Sequence, residues 1–456
     1  MLRRAAAAVL ACWTAIGGTS AHTHDGFGPG AVLPGSAAWS QRSSAPASND
    51  GEIAAFKQRT RTPGADAQAW IGLGNALMQR SRETPDAASY AQAKAAFREA
   101  LAIAPVNTQA MLGLAWAHNS AHEFAEGERW AQRALAFDPR SPDAHALLGD
   151  AAVELGDYEA AFEHYQAALD LRPSLASYSR AAHLLWLTGD AQRARWLMQK
   201  AIDAGGPYRE NIAWCRAELA LMLFHGGALV LAEQHASAAL TEAPDNPHVL
   251  ATMGRIEAAR GNYAQAIEHY ARAADLLPHH DALVGLGDLY ALMGRHDDAE
   301  RIYAQIIALH RAAEANDPTG TTQPQPQGNV RLARFLADHD RGLDRALLEA
   351  EAAYRNYRNV LVADTLAWAY YKLGRYGDAR TMIGEALEWN TPDASILFHA
   401  GMIHLGLGDA AGARTYLHRA LNLNPRFHPG QAAVAARILE TLAAQPSTNS
   451  GAAASN

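Results

Sequence analysis

Two well-separated stretches of this chain carry the same residues in the same order. From Pro142 the chain reads Leu148-Gly149, Gly156-Asp157-Tyr158, Ala161, Tyr165, Ala168-Leu169 and Pro173. From Pro247 it reads Met253-Gly254, Gly261-Asn262-Tyr263, Ala266, Tyr270, Ala273 and Pro278. Segments opening at Ala67, Thr108, Leu175, Ala213, His280, Pro326, Val360 and Ala394 follow the same template, at steps near the period of about 34 expected of paired-helix repeats. A unit that short cannot bury its own apolar face, so the copies must stack into a quasi-one-dimensional array.

Within a unit the pattern is an apolar-periodic helix, a short turn that mostly contains glycine, and a second such helix. Close helix crossing needs small side chains. The eighth position of each first helix supplies them (Gly74, Gly149, Gly254, Gly287 and Gly401 among glycines and alanines), as does the crossing position of each second helix (Ala93, Gly127, Ala161, Ala266, Ala346). Phe97, Tyr165, Met198, Tyr270, Tyr303 and Leu417 are the large residues expected between them. Pro105, Pro139, Pro173, Pro244, Pro278 and Pro425 end second helices, because proline cannot continue the hydrogen-bond ladder.

These residues resemble the tetratricopeptide repeat over about residues 67 to 427. The array is also similar to a group of exported bacterial tetratricopeptide proteins, through Gln79-Arg80-Ser81-Arg82-Glu83-Thr84 and the Gly205-Gly206 joint. The resemblance implies an all-α, right-handed solenoid of about ten helix pairs and a habit of binding a protein or peptide. It does not imply a particular partner. Unit one carries an insertion near Glu83 to Ser89, and unit eight has an extra residue near Gly342 and Arg358 where proline is usual. The segment boundaries expected are a leader at 1–21, a disordered stretch at 22–50, a capping helix with units one to seven at 51–313, a polar loop at 314–328, units eight to ten with a second capping helix at 329–444, and a disordered tail at 445–456. The loop reads either as a hinge or as a surface excursion in one continuous stack.

An apolar content of 49% over 456 residues is enough for a long core. The formal charge of −8, with no basic block, argues against nucleic acid as a partner. At the start, Arg3-Arg4, an uncharged run from Ala5 to Gly18 and Thr19-Ser20-Ala21 read as an export leader cleaved after Ala21, which places the protein in the periplasm or outside the cell. Val9-Leu10-Ala11-Cys12 offers an alternative, in which Cys12 carries a lipid anchor. No later run is apolar for the ~18 residues that a membrane span needs. With Cys12 gone, Cys215 stands alone and no internal disulfide forms.

Catalytic motifs are missing: there is no G-x-S-x-G, no H-E-x-x-H and no phosphate-binding loop. Gly285-Leu286-Gly287 is half of a dinucleotide fingerprint but lies within a helix, and His118 and His122, four apart, have no third ligand. A non-enzymatic scaffold without a cofactor follows. Arrays of this kind bind on the concave side, through outward positions of the first helices. Those positions are Asn75, Trp116, Asp150, His183, Trp186, Arg255, Asp288, Arg334, Trp368, Tyr371 and Lys372. Exposed Trp, Tyr and Arg dominate interfaces; the competing reading is that the tryptophans are repeat core. The alternative function is metal handling. Cleavage after Ala21 would leave His22-Thr23-His24, whose amine, two amides and His24 imidazole, with His22 beside them, suit Cu(II) or Ni(II).

Overall fold

The structure, a computed structural model, describes residues 50–83, 87–206, 209–278, 280–315 and 329–444. The described residues form helices joined by short turns, with no strand among them. Unit 1 is Ala67–Glu83 with Ala87–Ile103, unit 2 Thr108–Ser120 with Phe124–Phe137, and unit 3 Pro142–Leu155 with Tyr158–Leu171. Unit 4 is Leu175–Leu187 with Ala191–Ala204, unit 5 Arg209–His225 with Leu229–Glu242, and unit 6 Pro247–Arg260 with Tyr263–Leu276. Unit 7 is His280–Leu292 with His296–Ala315, and unit 8 Val330–Asp338 with Leu343–Asn356. Unit 9 is Val360–Lys372 with Tyr376–Ala386, and unit 10 Ala394–Gly406 with Ala410–Leu423. Asp50–Thr60 and Pro429–Ala444 flank the array. Two starts differ from the template: unit 5 begins at Arg209, ahead of Ala213, and unit 8 at Val330, behind Pro326, where Asn329 caps the helix through the Leu332 amide.

Helix boundaries follow local chemistry. Ser141, Ser174, Asn246 and Asn359 accept amide hydrogens from the first turns of the helices they precede, and Pro142 and Pro247 occupy the first turn, where no donor is lost. The crossing register is the expected one. A Cβ on Gly74 would stand 2.5 Å from the Phe97 ring, on Gly149 2.3 Å from Tyr165, on Gly287 2.5 Å from Tyr303 and on Gly401 2.6 Å from Leu417. Tyr270 is gripped from both sides, since a Cβ on Gly254 of unit 6 would stand 2.9 Å from its ring and one on Gly285 of unit 7 2.4 Å from it. That contact accounts for both glycines of Gly285-Leu286-Gly287 as packing residues.

The array closes on itself. The turn of unit 3 lies against the joint between units 8 and 9: Arg358 N donates to Glu154 O at 3.1 Å, Asn359 Nδ2 to Glu154 Oε2 at 2.6 Å, and Val360 N to Tyr158 Oη at 3.0 Å. One unit along, Thr391 Oγ1 donates to Leu187 O at 2.5 Å; one further, Asn424 Nδ2 donates to Phe224 O at 2.7 Å. Glu154, Leu187 and Phe224 all lie near the ends of first helices, whose last carbonyls lack intrahelical donors. The returning turn of the superhelix supplies donors to Glu154 and Leu187, and a second one to Phe224, whose carbonyl also accepts from Gly227 N at 2.9 Å. Arg358 therefore stands where proline is usual because a proline would have no N–H to give.

A candidate partner-binding groove

The first helices line the inner side of this closed superhelix. Their side chains divide into a part that is already paired and a part that is not. In units 7 to 10 the groove is cross-linked by its own residues. Asp288 accepts from Tyr303 Oη at 2.9 Å and His339 Nε2 at 2.7 Å, and lies 3.4 Å from His428 Nε2 at the start of the final helix. Arg334 donates to Asp338 at 3.1 Å and to Asp364 at 2.5 Å. Asp364 also pairs with the fully buried His399 at 2.8 Å. Burial works against both carboxylates. The histidine contacts outweigh it at Asp288, and His399 with Arg334 hold Asp364 down at about 2. Burial likewise works against a charged His339, but Asp288 raises its pKa above the ordinary value.

The aromatic positions correct the expectation of exposed anchors. Trp116, Trp186 and Trp368 are 6%, 8% and 4% exposed, and so belong to the core. Trp368 shows the reason. Its indole Nε1 donates to Asp338 at 2.9 Å, and its ring is stacked on Tyr371 at 4.8 Å and on His399 at 4.1 Å. Neighbouring first helices cover each other's large side chains, His399 of unit 10 lying on Trp368 and His225 of unit 5 beside Trp186 at 5.4 Å. Tyr371 is half-buried in that stack, and Lys372 reaches Asp340 at 2.8 Å.

Toward the N-terminal side, Asn75 is half-buried, and Asp150 accepts from Tyr165 Oη at 2.8 Å and from Arg180 Nε at 2.7 Å. Burial pushes the Tyr270 hydroxyl up to about 12, and Arg255 nearby works against that rise. His183 is exposed and lies on Trp186 at 6.3 Å, with planes 24° apart. Burial nevertheless pushes the His183 imidazole down. Beside it stand Trp214, Glu218, His225 and His248, none of which the repeat template marks. His248 Nε2 lies 2.8 Å from Glu218 Oε1, and its ring stacks on Trp214 at 6.0 Å and 22°. Trp214, Glu218 and His225 lie on the first helix of unit 5, which starts a turn early, and His248 lies on the first turn of unit 6. The i, i+4, i+11 spacing of Trp214, Glu218 and His225 was the available signal.

The two histidines considered as a ligand pair are structural. His118 is buried and pairs with Glu123, and His122 stacks on Tyr357 of unit 8's exit at 6.2 Å. No group of three or more ligating side chains suited to a metal ion occurs among the described residues. His22, His24 and Cys12 lie outside the described residues, as does the loop at 316–328. No described helix is long and apolar enough to cross a membrane.

Tetratricopeptide-repeat family models match residues 86–151, 142–175, 247–316 and 365–432. None of the curated proteins matches the chain. Among solved structures the chain is similar to PilF of Pseudomonas aeruginosa, at 19% identity and a TM-score of 0.38, covering 45% of this chain and 92% of that one. It is similar to a thermophilic repeat protein of Thermus thermophilus, at 21% identity and 0.37, covering 44% and 99%. Yeast Tom70 is 15% identical at 0.37, covering 87% of this chain and 96% of its own.

Proposed function

The chain belongs to the tetratricopeptide-repeat family, and from that premise we propose that it is a non-enzymatic scaffold of the cell envelope, holding an extended protein or peptide segment on its concave side. Repeats of this kind are protein-interaction scaffolds, generally without catalysis. The observation that carries the location is the asymmetry of the groove. Units 7 to 10 spend their polar groups on one another, whereas in units 1, 2 and 4 Asn75 Oδ1, Trp116 Nε1 and Trp186 Nε1 have no hydrogen-bond partner among the described residues, and of the groove positions in these units His183 is the exposed one. The Arg3-Arg4 leader pattern supports export, and sequencing the mature N-terminus tests it.

A photo-crosslinker placed at His183 tests the scaffold reading, with one at Trp196 as control. Trp196 is 48% exposed on a second helix. The expected result is one identified protein joined from position 183 and not from 196. The same yield from both positions refutes the groove.

A further inference from the structure

The groove around units 4 to 6 has a chemistry of its own. Resting on the concave-groove reading, we propose that Glu218 and the two tryptophan–histidine stacks beside it form a guanidinium site, which takes an arginine side chain of the bound segment. Three independent features meet there. Glu218 is a carboxylate only 17% exposed, with His248 as its direct partner. Burial works against its charge, but His248 beside it outweighs that and holds the carboxyl below its ordinary range. Burial pushes the imidazoles of His183 and His225 down, so at neutral pH they are uncharged and do not cancel Glu218. Among the described residues Glu218 has no lysine or arginine at ion-pair distance.

The rings define which cation. Trp214 with His248 and His183 with Trp186 are two nearly parallel stacks, at 22° and 24°, and Glu218 interacts with histidines of both. Flat aromatic faces beside a carboxylate match a planar guanidinium, which stacks and donates in its plane; an ammonium has no plane to stack. The third feature is the Trp186 Nε1 donor, buried without a partner among the described residues. A main-chain carbonyl of the same segment satisfies it, which makes the ligand a peptide and not a free cation. An anion is repelled, since Asp393 lies 3.7 Å from His225 at the same place. Arg255 of unit 6 acts on both Tyr270 and His225 without reaching Glu218 as an ion pair.

The test titrates the full chain with acetyl-Gly-Arg-Gly-amide, and with its citrulline and lysine counterparts, following tryptophan fluorescence and heat. Citrulline keeps the shape and loses the charge. The expected result is saturable binding of the arginine peptide, several-fold weaker binding of lysine and none of citrulline. Glu218→Gln should weaken the arginine peptide about tenfold or more, the scale of a charged hydrogen bond. Trp214→Leu, which leaves the carboxylate, should reduce the preference for arginine over lysine. Equal binding of arginine and citrulline, or an unchanged Glu218→Gln protein with native circular dichroism, overturns the site. The scaffold reading is separable. A partner that crosslinks from position 183 equally in wild type and Glu218→Gln keeps the groove and rejects the arginine site.

Discussion

Gly189 and Gly261 occupy the same place in units 4 and 6, at φ of +87° and +84°, yet only one of them is covered. A Cβ on Gly189 would stand 2.6 Å from the carbonyl oxygen of Trp389 and 3.1 Å from that of Asn390, whereas one on Gly261 would meet nothing within 4 Å. Alanine in the left-handed region costs about 1–2 kcal/mol at either position. At Gly189 the clash is with backbone that cannot rotate away, which adds about 1–3 kcal/mol as overpacking. If the joint moves off instead, the Thr391 bond to Leu187 O is lost and a buried carbonyl is left bare, at a similar ~1–3 kcal/mol. Gly261→Ala should therefore cost about 1–2 kcal/mol and Gly189→Ala about 2–5. A solenoid does not melt as one unit, so amide exchange of Leu175–Leu187 and Ala394–Gly406 is the readout, with the radius of gyration by X-ray scattering. Gly189→Ala should raise exchange in both helices and expand the particle, and Gly261→Ala should do neither. Equal exchange and equal radius in the two variants would refute closure of the superhelix.

Further outcomes follow from the same contacts. Asn424→Ala should destabilise by about 0.5–1.5 kcal/mol by removing one of the two donors to Phe224 O, the other being Gly227 N, measured by chemical denaturation; a neutral effect means that contact is absent. Trp368→Ala should cost about 3–5 kcal/mol, as a core residue does, and Trp368→Phe should keep the fold but remove the indole donor to Asp338, which Arg334 still holds; loss of binding with full stability would instead make Trp368 an exposed anchor. The His339–Asp288 pair should act on stability with a definite sign. The folded pKa of His339 is raised, so its contribution is fully present below about pH 6.5 and fades as pH rises through the folded value; thermal melts across pH 5 to 9 should show a slope that His339→Gln removes.

The ten-unit register and the crossing glycines are legible in the sequence because each is a local demand repeated at a fixed period. Gly149 must be small for Tyr165 to fit, wherever the rest of the array goes. Helix starts are nearly as local, through caps such as Ser141 and Asn359, and go astray only where units 5 and 8 change length. What tertiary structure alone decided is how far each unit rotates on the last. That rotation is small, depends on side-chain volumes at every interface and accumulates, so no single residue announces that the joint after unit 8 will land on the turn of unit 3. Everything downstream of it was hidden for the same reason. Arg358 looks like a fault in the template until Glu154 O is seen opposite its N–H. Trp116, Trp186 and Trp368 occupy groove positions by periodicity, but packing against neighbouring helices buries them. Glu218 and His248 come from different units, and only the curvature of the stack brings them within 2.8 Å.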